Sequence, residues 1–98
     1  MKMIKEIYKT LQQNNFSPVA FKDLERKFNI TSDEISLVYM IYVNTVKMQK
    51  DKIIYKKAID IVKKMETKDK SIMQTYMDIV DLYNKYCIRR NYVESSRS

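Results

Sequence analysis

Ninety-eight residues carry nineteen Lys and Arg against twelve Asp and Glu, a formal charge of +7, with no Gly, no His, one Pro and one Cys. A chain this short suits a single domain spanning 1–98, and its one thiol, Cys87, with no His beside it, leaves neither a disulfide framework nor the usual zinc ligands. The lack of His also removes the commonest general base and the Ser-His and Cys-His nucleophilic pairs, and the lack of Gly excludes GxGxxG and the P-loop, so no enzyme, metal or cofactor is expected.

Without Gly, turns that need a positive φ fall to Asn, Asp or Lys, and most of the chain is expected to be helical. Residues 2 to 13 place Met3, Ile4, Ile7, Tyr8 and Leu11 at helical spacing, and the cluster "NNFSP" ends this first helix, the N-terminal segment 1–15. The stretch "MKMIKEIYKTLQQ" mixes charges among its apolar residues, unlike a signal peptide, and no segment approaches the ~20 apolar residues of a membrane span, so a cytoplasmic protein is expected. "VAFKDLERKFNI" sets Val19, Phe21, Leu24 and Phe28 on one side of a second helix. In "TSDE", Thr31 or Ser32 can cap the next one, and Asp33 and Glu34 suit the positive end of its dipole. "ISLVYMIYVNTV" is apolar nearly all round, with no charge between Glu34 and Lys47, and reads as the central buried helix.

Farther on, Ile54, Ala58, Ile61, Val62 and Met65 define an amphipathic helix with Lys56, Lys57, Lys63 and Lys64 facing away. After the polar break "ETKDK", "SIMQTYMDIVDLYNKY" resumes the pattern through Ile72, Met73, Tyr76, Ile79, Val80 and Tyr83, its other side carrying Lys70, Ser71, Gln74, Thr75 and Asp78. Two such helices across a short turn outline a helix-turn-helix whose second helix offers polar side chains to a major groove. Any packed pair of helices shares that outline. In "YNKYCIRRNYV", Tyr86, Ile88, Tyr92 and Val93 suit a β-strand that presents Arg89 and Arg90, and "ESSRS" is too short and polar for a second strand, which leaves half a wing.

The run "LERKFNITSDEISLVYMIYV", with Phe28, Ile30, Thr31 and Glu34 at the pattern positions, resembles the entry to the winged-helix core of the staphylococcal accessory regulator family, the SarA branch of MarR-like transcription regulators. The order downstream is similar: "IIYKKAIDIV" at the first helix of the helix-turn-helix, "KDKSIMQTYMDIVDLYNKYCI" at the recognition helix, and "RRN" entering the wing. Arg90 and Glu94 keep the family's wing spacing, while Ser95 departs from its second acid and Arg97 sits one place late. The resemblance covers roughly residues 19–94 and implies a mainly α, winged helix-turn-helix fold with a short or incomplete β-wing. It further implies a homodimer on AT-rich duplex DNA, for which Met3, Ile7 and Leu11 would supply the dimer stripe because no C-terminal dimer helix follows the wing.

The DNA-facing set expected is therefore Ser71, Gln74 and Thr75 at base edges, Lys68 and Lys70 on the backbone, Lys56, Lys57, Lys63 and Lys64 on phosphates, and Arg89, Arg90 and Arg97 in an adjacent groove. The +7 charge favours such a polyanion through counterion release, although a Lys-rich composition also follows from an AT-rich genome. Against each stands a plainer reading: a solvated helix face for the polar residues, a basic tail for the arginines, core for Tyr8, Tyr39, Tyr76 and Tyr83, and a small buried hydrophobe rather than a redox sensor for Cys87. A rival frame reads residues 16–57 as the winged helix with "KMQKDKIIYKK" as wing, but its recognition helix would be acidic at its start and uncharged afterwards, unsuited to phosphate. The alternative function is a small mobile-element or phage-type module that binds a host protein and inhibits or bridges it.

Overall fold

A computed structural model describes the backbone of residues 2–97 and the side chains of residues 2–90. Five helices follow in order: α1 (Lys2–Gln13), α2 (Pro18–Phe28), α3 (Ser32–Lys47), α4 (Lys52–Glu66) and α5 (Ile72–Arg97). Local chemistry sets their starts. Ser17 caps α2, its Oγ accepting the Ala20 N–H at 3.3 Å, with Pro18 in the first turn where its missing N–H costs nothing. Thr31 and Glu34 form a reciprocal capping box on α3, and Asp51 Oδ1 accepts the Ile53 and Ile54 N–H groups of α4 at 3.2 and 3.1 Å. The first turn of α1 is served from a distance: Glu66 Oε1 at the end of α4 accepts the Met3 and Ile4 N–H groups at 3.1 and 3.4 Å.

Positive φ occurs at Asn15, Phe16, Asn29 and Lys68. Three of the four are residue types a Gly-free chain is expected to use there; Phe16 is not, and its N–H donates to Leu11 O at 2.9 Å to close the turn after α1.

α3 packs against all four other helices, α4 also against α5, and α1 also against α2. Ile35, Val38 and Ile41 of α3 are fully buried, together with Ile4, Ile7 and Leu11 of α1, Ala58 and Val62 of α4, and Ile79 of α5. Thr45, also fully buried, donates its hydroxyl to Ile41 O at 2.7 Å and so enters the core without an unpaired polar atom.

Three expectations change. Ile7 and Leu11 lie in the chain's own core and Met3 packs against it, so the stripe is not a free dimer surface; an amphipathic stripe shows that something covers it, not what. Residues 86–93, read above as a wing strand, continue α5, and the described residues hold no β-strand. Leu82, Tyr83, Tyr86 and Cys87 keep helical spacing against the core, and no Gly or Pro interrupts the run. Lastly, the buried face of α5 is turned relative to the pattern: Thr75, Ile79 and Tyr86 point inward, while Met73 and Met77 are exposed. No helix among the described residues is long and apolar enough to cross a membrane.

If enclosure of α3 holds the five helices together, Ile41→Ala should cost about 2–5 kcal/mol, whereas Met40→Ala, at an exposed site one residue away, should change stability by less than about 0.5 kcal/mol. Urea unfolding midpoints of the two variants measure the difference.

Candidate nucleic-acid interface

Because Ile54, Ala58, Val62 and Met65 turn α4 toward the core, its lysines turn outward: Lys52, Lys56, Lys57, Lys63 and Lys64 are all exposed, with one acid, Asp60, among them. At 1.5 Å rise per residue the stripe extends for about 18 Å. Among the described residues, none of these lysines forms an ion pair. Lys63 and Lys64 also lie in the last turn, where cations are favourable to the helix dipole. The sequence reading named four of the five; Lys52, one turn before Lys56, was legible by the same spacing.

The turn into α5 is tightly bonded. Asp69 and Lys70 N–H both donate to Lys64 O at 2.8 and 3.2 Å, Lys68 takes a left-handed conformation with an exposed side chain, and the Thr67 hydroxyl donates to Asp69 Oδ2 at 2.7 Å. Ser71 then caps α5, its Oγ accepting the Gln74 N–H at 3.1 Å. Ser71, Gln74 and Lys68 thus lie at the exposed beginning of α5, next to the C-terminal end of the α4 stripe.

Thr75 does not join them. It is fully buried and its hydroxyl donates to Ser71 O at 2.7 Å, so its assignment to base contact is withdrawn. Lys70 and Gln74 are engaged within the chain as well. The Lys70 ammonium pairs with Asp78 Oδ2, and Gln74 Nε2 donates to Asp78 Oδ1 at 2.9 Å, so both oxygens of one carboxylate are held. The Lys70 hydrogen bond, followed by that from Gln74, lowers the Asp78 pKa from its ordinary 3.8. Asp78, on the polar side of α5, thus sits at the base of the candidate contact residues.

The arginines are likewise placed on the fold. Arg89 Nη1 lies 3.6 Å from Asp51 Oδ2, joining α5 to the cap of α4, and Arg90 Nη1 donates to Tyr86 Oη at 3.2 Å. Both remain exposed. The side chain of Arg97, like those of Glu94 and Ser95, lies outside the described residues. Cys87 is half-buried beside Tyr83, and hydrogen bonding with its thiol, with burial second, raises the Tyr83 pKa above the ordinary 10.0. The other tyrosines expected in the core are half-buried, with Tyr8 stacked on Tyr39 at 5.3 Å.

Neither a protein-family model, nor a curated protein, nor a solved structure matches the chain.

Since Asp78 is depressed in the folded state, its stabilisation is fully present above about pH 3.8 and is lost as pH falls through the lower folded value. Asp78→Asn should therefore lie below wild type by on the order of 1 kcal/mol at pH 7, the partners being partly solvated. That gap should close in urea titrations carried progressively below pH 3.8.

Proposed function

We propose that this chain binds duplex DNA and regulates transcription without catalysis, laying the α4 stripe along the phosphate backbone with the α4–α5 turn and the start of α5 toward the major groove. The observation that carries this reading is the row of exposed α4 lysines without ion-pair partners, which continues into the turn through Lys68. A duplex neutralised by such a row releases counterions, so affinity falls steeply with salt. The resemblance of "LERKFNITSDEISLVYMIYV" to SarA/MarR-like regulators supports the same reading, and AT-rich duplex remains the proposed target.

The helix-turn-helix acts here without a β-wing, since residues 88–97 belong to α5. Backbone contact outweighs base readout: Thr75 is buried, and Gln74 and Lys70 are held by Asp78. A homodimer, as such regulators form, would meet through a surface other than Ile7 and Leu11.

One observation favours the second reading, a module that docks on a host protein. Met73 and Met77, one turn apart on α5, are 56% and 54% exposed, and adaptable methionine surfaces suit protein partners.

Salt separates the two. Binding to an AT-rich duplex should weaken linearly on a log–log salt plot, and replacing Lys56, Lys57, Lys63 and Lys64 with Gln should flatten the slope by about 3–4. Arg89→Ala/Arg90→Ala should change it much less, because both arginines are engaged within the chain. A slope indifferent to the four lysines, or no binding to duplex at all, would turn the reading toward a protein partner.

A further inference from the structure

Asp78 sits where a DNA-contacting helix ordinarily does without a negative charge. It lies two turns into α5, on the side of the helix that Gln74 shares, and it takes hold of the two side chains most able to read or grip DNA. Its Oδ2 pairs with the Lys70 ammonium and its Oδ1 accepts from the Gln74 amide at 2.9 Å. The Lys70 and Asp78 side chains are 21% and 27% exposed, so the pair is partly withdrawn from water but reachable from the surface. The turn geometry makes this possible: Lys70 N–H is tied to Lys64 O and Ser71 caps the helix, which brings an ammonium from before α5 back over a carboxylate eight residues later.

We propose that Asp78 is a latch that determines specificity at this interface: it holds Lys70 and Gln74 against itself, so that the free protein meets DNA through the α4 lysines and Lys68. This rests on the duplex-binding reading above. Phosphate and carboxylate compete for the same ammonium, and a neighbouring carboxylate also repels phosphate. One N–H of the Gln74 amide is committed to Asp78, and that bond fixes the direction of the group, whereas bidentate pairing with adenine needs the carbonyl oxygen and an N–H presented together toward the base. While the latch is closed, α5 therefore offers methionine surface and an amide held in the direction of Asp78, and discrimination between duplex sequences is weak. A site that turns the Gln74 amide toward an adenine draws it from Asp78 and so weakens the latch, and opening it frees Lys70 for one more phosphate.

Two measurements on the full chain test this. The first needs no DNA. Each lysine is followed by peptide mapping during reaction with an amine-directed acylating reagent: Lys70 should react several-fold more slowly than Lys56 or Lys57 in the wild type and at a similar rate to them in Asp78→Asn, while Lys56 and Lys57 do not change. Equal reactivity of Lys70 in both proteins would overturn the latch whatever DNA does.

The second compares wild type, Asp78→Asn, and Asp78→Asn/Lys70→Gln on labelled AT-rich and GC-rich duplexes across a salt series, with circular dichroism confirming that each variant is folded. Asp78→Asn should bind severalfold more tightly, steepen the salt slope by about 0.9, the increment for one added phosphate contact, and widen the AT-over-GC preference. The second substitution should remove the added slope. A gain that survives Lys70→Gln unchanged would reduce Asp78 to a repelling charge and overturn the latch while leaving duplex binding intact. Absence of duplex binding in all three proteins would instead overturn the duplex-binding reading itself, and the latch's role at DNA with it. Asp78→Ser repeats the comparison should the Asn variant unfold.

Discussion

Everything in this molecule is arranged around one helix whose inward residues cannot face water. α3 carries no charge between Glu34 and Lys47, and Ile35, Val38, Ile41 and Thr45 along it are closed off completely. Enclosing those residues takes several partners, and α1, α2, α4 and α5 provide them, while Ser36, Met40 and Val46 of α3 stay at the surface. Each partner has one apolar stripe, so each must turn its polar face outward. The lysine row on α4 is exposed for this reason, and Ile7 and Leu11 of α1 are enclosed for the same one. The surface chemistry is thus a consequence of the core.

Electrostatics follows from how the acids are used. Asp51 and Glu34 cap helices, Glu66 receives the first N–H groups of α1, Glu6 pairs with Lys27 at 2.8 Å, and Asp78 binds Lys70 and Gln74. With these carboxylates drawn to N–H groups and to particular ammonium groups, the α4 lysines form no ion pair among the described residues, and Asp60 is the one acid along their row. A net charge of +7 is thereby concentrated in places rather than spread evenly. Lysines at the end of α4 also complement the dipole of that helix.

How much of this was legible depended on whether the signal was local. The entry to α3 was written in Thr31 with Glu34 three residues on, and the core face of α4 in its spacing; the caps at Ser17 and Asp51 use the same chemistry but were not singled out from the sequence. The burial of α3 was plain from its lack of charge. What failed was what needs a neighbour to decide it. Tyr86 and Ile88 suit strand or helix equally, and only packing of Tyr86 against the core favours helix. Thr75 looked polar, but bonding its hydroxyl to Ser71 O satisfies that group and lets the residue take an inward place that Met73 seemed to claim. The Gln74–Asp78 bond follows from i,i+4 spacing, whereas the Lys70–Asp78 pair depends on the local turn before α5 that brings Lys70 back over the helix.

The central claim, that the outward face of α4 is where DNA lies, is tested most directly by mapping backbone amide resonances of the labelled protein during titration with an AT-rich duplex. The account predicts that the largest shifts fall between Lys52 and Gln74, along α4 and through the turn, with α1 and α2 little changed. Shifts centred on Met77 and Ile88 with α4 unmoved, or no shifts at duplex excess in low salt, would contradict it.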